Sequence, residues 1–362
     1  MNCNRFILIW LICALLPVEL FAQTYTDKKV KVFRTSPNID VEIRNKYGLV
    51  HVETWDKDSV QFEIDLSIKA NDREKLNKMQ ESIHFDFTPS KYKIIAQTTF
   101  NKARGLITEF VDVFMPSTVV VIDYTVKIPR SASLTIENKY GNIFLDDIYG
   151  DVSINLSNGD MTANKLLGNT TIRHNAGDSK IEEIKTGKVY ISYGNMHLEK
   201  VDKLQLETRS SEIEVEEANL LKIKSKSDEY NITQTNEMFC EGSLTTLNIT
   251  KLKSEMDGNF RYGEATINNI SKSFSFMNLT SEFADIDLYF ERNSTYNLDI
   301  THHRDVTIQL PNIYSKVETR ELNPDEKILL TYGEVGSNVG VNSPKLKITA
   351  LKKCTVNIIH KK

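Results

Sequence analysis

Residues 134–166 read LTIENKYGNIFLDDIYGDVSINLSNGDMTANKL, and the second half repeats the pattern of the first. Leu134 and Ile136 precede Gly141, with Ile143, Leu145 and Ile148 after it. Val152, Ile154 and Leu156 precede Gly159, with Met161, Ala163 and Leu166 after it. Working outward, Gly177, Gly194, Ser211, Asp228, Thr245, Gly263 and Ser281 continue the series at steps of 17 or 18 residues. Each copy is two short alternating strands joined by a tight turn, and side chains two apart on a strand share a face. Stacking such copies about 4.8 Å apart would align Ile148, Leu166, Ile184 and Val201 into one interior file. No copy can bury its apolar face alone, so neighbours must supply the stability; the period therefore predicts an all-β chain wound as a parallel β-solenoid of 17–18-residue coils.

Glycine at the turns is expected to supply positive φ, with Ser211 and Asp228 as the usual substitutes. Tyr140, Tyr193, Tyr262 and Tyr332 each precede a glycine and read as flat caps over the corners.

The flanking regions depart from this rhythm. Val41, Ile43, Asn45-Lys46-Tyr47-Gly48, Val50, Val52 and Trp55 fit the template, and Asn-Lys-Tyr-Gly recurs at 138–141. Then Val60–Ile68 alternates as a longer strand, Asn71–Ser82 is charged with Leu76 and Met79 at helical spacing, and Tyr92–Thr99 and Val119–Ile128 read as strands. Phe100–Pro116 has no period and reads as a mobile loop. Residues 23–133 are thus expected to form a small β-rich N-terminal cap with one short helix, protecting the open end of a regular solenoid at 134–290. Residues 291–362 are expected to be irregular closing coils, in which Tyr332-Gly333-Glu334 restores the template.

Residues 1–22 read as a secretory signal: Arg5, an apolar run Phe6–Leu16 too short to span a bilayer, and Leu20-Phe21-Ala22 before Gln23. Cys13 lies inside the apolar run behind bulky Ile12, which argues against lipid attachment. The expected localisation is therefore exported: periplasmic, outer-membrane-associated or extracellular. Cys240 and Cys354 remain after processing, and the intervening coils separate them too far for a disulfide, so both are expected as buried free thiols. A formal charge of -4 among 362 residues argues against a nucleic-acid partner, and no later stretch is long and apolar enough for a membrane span.

Tyr124-x-Val126-x-Ile128-Pro129, then Leu134-x-Ile136-x-Asn138-x-Tyr140-Gly141-x-Ile143, then turns such as Asn158-Gly159-Asp160, resemble the "putative adhesin" family of bacterial exported β-helical domains. The similarity covers most of the mature chain. It implies a right-handed parallel β-helix, in keeping with the usual hand of parallel crossovers, and export to the cell envelope. Its motifs are structural, and no catalytic or ligand residues come with them.

Chemistry is sparse. The position after each turn holds Asn142, Asp160, Asp178, Asn195, Glu212, Glu229, Thr246, Glu264 and Glu282, an acidic column whose neighbours would repel by roughly 1 kcal/mol at the surface. Asp160, Asp178, Glu212 and Glu229 are candidate ligands for calcium or another cation. The plainer reading, preferred here, is that these side chains cap turn backbone while Lys139, Lys165, Lys180 and Lys200 neutralise them. His302-His303 point to opposite faces and read as a solvated loop pair rather than a metal site. Helical zinc motifs, nucleophile elbows and phosphate-cradling loops are absent, so no cofactor is expected.

Two functions remain: a non-enzymatic interaction protein binding a glycan, an envelope component or another protein along one flank, and a polysaccharide-processing enzyme acting on acidic glycans. For the second, Asp285, Asp287, Arg292, His302, His303 and Arg304 come nearest to an acid cluster with cations. Spread-out acidity with no cationic focus favours the first.

Overall fold

The computed structural model describes residues 23–101, 118–311 and 315–361. The expected signal at 1–22, and the expected loop from residue 102 on, lie outside them. Among the described residues the chain is nearly all β, with one helix, and its 22 strands join one open hydrogen-bonded sheet.

The repeat is realised as parallel pairing at the period of the sequence. Strand β8 (Ser133–Lys139) pairs with β10 (Val152–Ser157), and β10 with β11 (Met161–Asn175). β12 (Ser179–Ser192), β13 (Asn195–Arg209), β14 (Glu212–Lys226) and β15 (Glu229–Ile270) follow in turn, each parallel to the last. Ile148 bridges Leu166, Leu166 pairs with Ile184, Ile184 with Val201, and Val201 with Ala218, so the expected file is present. The apolar columns form one continuous core cluster.

Each rung turns its corner on an ordinary side chain in the left-handed region, one residue before the position anticipated. Tyr140, Asn158, Ala176, Tyr193, Ser210, Ser227, Leu244 and Tyr262 have φ between 51 and 61°. Such a conformation costs roughly 1–2 kcal/mol for a residue with a Cβ. It is held because the corner N–H still reaches the next rung: Tyr140 donates to the Ser157 carbonyl (2.9 Å), Asn158 to Asn175 (3.0 Å), Ala176 to Ser192 (3.0 Å) and Tyr193 to Arg209 (3.0 Å). Of the turn glycines, Gly177 (φ 148°) and Gly263 (φ 110°) take the expected positive φ, while Gly159 and Gly194 are required by close approach instead. A Cβ at Gly194 would lie 2.1 Å from the carbonyl oxygen of Gly177, and one at Gly159 would lie 2.2 Å from that of Gly141.

From Ser211 onward the corner changes. Ser211 and Asp228 do not take the positive φ expected of them; they and Thr245 are buried and hydrogen-bonded inside. Asp228 accepts from the Thr208 hydroxyl (2.7 Å), the Ser225 hydroxyl (2.7 Å) and the backbone N–H groups of Ser211 (2.9 Å) and Lys226 (2.8 Å). Three of these donors converge on Oδ2 and one on Oδ1, so the buried carboxylate is fully solvated by the chain itself. Because Thr208 gives its proton to Asp228, the Tyr230 hydroxyl 2.6 Å away must donate to Thr208, and burial pushes that phenol well above its ordinary pKa.

The N-terminal strands extend both flanks. β2 (Asp40–Lys46) pairs in parallel with β8, and β3 (Val50–Trp55) with β9 (Ile143–Leu145), so Tyr47 stacks on Tyr140 with centroids 5.6 Å apart. Beyond them lie β6 (Lys93–Phe100) and β5 (Ile83–Pro89) on one side. On the other lie β7 (Thr118–Pro129), β4 (Ser59–Ala70) and β1 (Gln23–Arg34). Helix α1 (Arg73–Ser82), capped by the Asp72 carboxylate on the Lys75 N–H, buries Leu76 and Met79 and touches β1, β4 and β5. Strands β1 and β5 had no counterpart in the sequence reading.

The far end differs from expectation in two ways. Gly263 pairs with Ala284, 21 residues on, rather than with Ser281, because the 271–275 loop adds residues and tucks Phe274 into the core. Glu282 consequently pairs with Arg261, and Asp285 takes the place after Glu264 in the acidic column. Secondly, Tyr332-Gly333-Glu334 is no corner. It lies within β20 (Ile328–Val335), antiparallel both to β19 (Ser315–Asn323) and to β17 (Tyr296–His303). The last strands in sequence, β21 (Lys345–Ala350) and β22 (Thr355–His360), are not last in space. β21 inserts between β16 (Phe276–Phe290) and β17, and β22 between β16 and β18 (Thr307–Gln309).

Gly194→Ala is expected to lower unfolding free energy by more than about 2 kcal/mol, since its methyl has no room against backbone, whereas Tyr193→Ala, at an exposed side chain, should cost less than about 1 kcal/mol. Urea midpoints of the two variants check this; equal midpoints would contradict the close-approach account.

Candidate functional site

Outward-facing residues on the strand before each corner align into three columns, because register is kept from rung to rung. Tyr190 pairs with Glu207, Glu207 with Lys224 and Lys224 with Glu241; Ser192 pairs with Arg209, and Arg209 with Lys226. Lys188, Gln205 and Lys222 form the third column. Across four rungs this flank gathers Arg173, Lys188, Arg209, Lys222, Lys224 and Lys226, all exposed, with the carboxylate of Glu207 among them and that of Glu241 on the next rung. None of the six cations makes an ion pair among the described residues, although Arg173 lies over the Tyr190 ring at 4.8 Å and Lys222 over Phe239 at 5.5 Å. An open groove of about 720 Å³ runs along this flank, lined by Tyr190, Glu207, Arg209, Lys224, Lys226, Glu241 and Arg261 among others.

The expectation of no cationic focus is thereby overturned. The signal was legible in Lys222-x-Lys224-x-Lys226, three same-face lysines on one strand, with Arg209 one period upstream. A net charge of -4 hides the focus because the acids sit on the other side of the corner. Asp160 and Asp178, and likewise Asn195, Glu212 and Glu229, follow one another on that flank, beside Glu214 and Glu216.

The four candidate cation ligands stack as expected, and two of them, Asp160 and Glu229, accept hydrogen bonds from the protein. Asn142 Oδ1 accepts the Asp160 N–H (2.9 Å) and Asp160 Oδ1 accepts the Asp178 N–H (3.0 Å), so these side chains cap the next rung. Glu229 accepts from Asn231 Nδ2 (3.2 Å). Among the described residues no group of three or more His, Cys, Asp or Glu is placed to hold a metal ion. The lysines invoked to neutralise the column do not reach it: Lys165 bonds Glu182 (3.1 Å), and Lys139, Lys180 and Lys200 make no ion pair with it.

The residues considered for glycan cleavage do not converge. Asp285 accepts from the Thr355 N–H and Asp287 from Asn357 Nδ2, each at 2.6 Å, tying β16 to β22. Arg304 pairs with Glu321 (3.0 Å). His302 and His303 lie on strand β17 rather than on a loop, and His302 is buried, not solvated. Its Nδ1 donates to the His303 carbonyl, so its Nε2 accepts from the Thr331 hydroxyl (both 3.0 Å). Cys240 and Cys354 are buried free thiols, and burial pushes Cys240 up to about 12. No helix among the described residues is long and apolar enough to cross a membrane.

No protein-family model matches this chain, and no curated protein matches it. Two solved structures are similar at low level. A "putative cell adhesion protein" from Clostridium sporogenes is 8% identical at a TM-score of 0.20, over 93% of this chain and 100% of that one. A "putative lipid binding protein" from Parabacteroides distasonis is 11% identical at a TM-score of 0.30, over 73% of this chain and 93% of that one. At such scores neither superposition carries an argument.

His174, His302 and His360 are all held below the ordinary histidine value by burial. The folded chain keeps them neutral, so the unfolded chain binds more protons once pH falls below about 6.5. Stability is therefore expected to be level above about pH 7.5 and to fall increasingly as pH drops from there through 6.5 to 5.5. Urea midpoints across this range test it, and a midpoint that stays level or rises would contradict it.

Proposed function

We propose that this chain is an exported, adhesin-like interaction protein, built as a right-handed parallel β-solenoid, that holds an acidic glycan along the flank before the corner. The carrying observation is the field of six exposed cations with no ion-pair partner, brought together only by the rung register. Parallel pairing at the sequence period supports the solenoid, and the usual hand of parallel crossovers supports its right-handedness. Residues 1–22, read as a signal, support export.

An acidic glycan suits the flank better than a nucleic acid does. Asn175, Gln205 and Glu207 interleave with the cations and offer hydrogen bonds to sugar hydroxyls, and the carboxylates of Glu207, Glu241 and Glu282 along the groove repel a chain with a phosphate at every unit more than one whose charges are spaced further apart. Charges spaced along a rigid wall give many weak contacts, each screened by salt. No observation favours the cleavage alternative, since Asp285 and Asp287 are engaged in strand-to-strand bonds.

Calorimetry against uronate-containing oligosaccharides in low salt tests the proposal. The variant Lys188→Ala/Lys222→Ala/Lys224→Ala is expected to bind at least about tenfold more weakly, from the loss of three charge-assisted contacts, while Glu214→Ala on the opposite flank binds as the parent does. Binding to neutral glycans or to a single-stranded oligonucleotide in preference to uronates, or an unaffected triple variant, would overturn it.

A further inference from the structure

The corner itself carries a second pattern, which rests on the solenoid reading but not on the glycan. The outward position two before each turn mark and the position one after it flank the ridge of left-handed residues. From Gly194 to Gly263 their charges match in opposition: Arg209 with Glu212, Lys226 with Glu229, and Arg261 with Glu264, while Ser192 with Asn195 and Ser243 with Thr246 are neutral at both places; the earlier turns hold Lys139 with Asn142, Ser157 with Asp160 and Asn175 with Asp178, and the last, at Ala284, holds Glu282 and Asp285, both acidic. These pairs are not joined within the chain, Arg261 bonding Glu282 instead (3.1 Å). Between the two columns the ridge exposes Tyr193 (58%), Leu244 (57%), Tyr262 (46%) and Phe283 (45%), the last two stacked at 5.3 Å, with Ser210 and Ser227 in the middle.

We propose that a second copy of this chain docks on this ridge, related by a two-fold axis parallel to the stack of rungs. That operation sets ridge against ridge at the same height and brings the cationic column of each copy opposite the acidic column of the other. A two-fold axis perpendicular to the stack would instead oppose cation to cation, so charge selects the parallel arrangement. The ridge from Tyr193 to Phe283 spans five rung steps, about 24 Å. Such a strip buries less than the roughly 800 Å² per partner of a standard interface, so the dimer is weak and salt-sensitive.

Sedimentation velocity tests the proposal through charge reversal. The parent protein is expected to self-associate at about 100 μM in low salt and to dissociate as salt is raised above about 0.5 M, where charges are screened within roughly 4 Å. Arg209→Glu/Lys226→Glu makes both columns negative, and Glu212→Lys/Glu229→Lys makes both positive. Each alone should associate at least tenfold more weakly, and an equimolar mixture should recover association as a heterodimer. Ser227→Cys, on the ridge, should form a disulfide-linked dimer on mild oxidation. A parent that stays monomeric in low salt, variants that associate as the parent does, or a mixture that fails to associate would each overturn the proposal. The all-positive variant keeps every cation of the glycan flank. Uronate binding by that variant with no parent dimer would sink this inference alone, and dimerisation without uronate binding would sink the glycan reading alone.

Discussion

The hydrogen bond from each left-handed corner residue to the rung beyond it is the contact on which the remainder depends. Strands pair readily along their straight parts; the difficulty is to bend the chain sharply without stranding its backbone donors. Here Tyr140, Asn158, Ala176 and Tyr193 take a conformation unfavourable for residues with a Cβ, and their N–H groups stay paired. The glycines that follow let successive corners approach closely. Where the mark becomes Ser211, Asp228 or Thr245, a buried polar network replaces close approach, and Asp228 draws four donors around one carboxylate. Two chemistries thus maintain the same register.

Register converts a scattered sequence into a charged surface. Lys188, Arg209 and Lys224 lie on different rungs and acquire meaning as a group only when strands stack in step. The same register sends Asp178, Glu212 and Glu229 to the other side of the corner. A chain that is mildly acidic overall thereby presents one cationic and one acidic flank, separated by a ridge with exposed aromatic residues.

The all-β character and the parallel period were legible because burial along stacked strands demands alternation at a fixed period. Ile148, Leu166 and Ile184 declared their file, and Leu76 with Met79 declared the single helix. What escaped has physical reasons. Alternation is the same for parallel and antiparallel strands, so Tyr332-Gly333 passed for a corner. The added residues of the 271–275 loop shifted the last marks from Ser281 to Ala284 without disturbing the alternation on either side. Glycine supplies positive φ at Gly177 and Gly263, but steric exclusion by the neighbouring carbonyl is what requires it at Gly159 and Gly194, and sequence cannot tell these two needs apart. The candidate acids were visible and correctly stacked up to Glu264. The cationic flank is harder to read, because Lys188, Arg209 and Lys222-x-Lys224-x-Lys226 stand before the turn, one or two periods apart, and become neighbours only once the strands pair in register.

Electron–electron distance measurements between spin labels address the stacking most directly. Thr162, Lys180, His197, Glu214 and Asn231 succeed one another on adjacent rungs, so labels at Thr162 and Asn231 should lie about 19 Å apart, and labels at Thr162 and Thr266, six steps along, about 29 Å apart. Distances that grow by one rung spacing per 17 or 18 residues are what the account requires. Equal distances for the two pairs, or separations that ignore the number of periods between the labels, would contradict it.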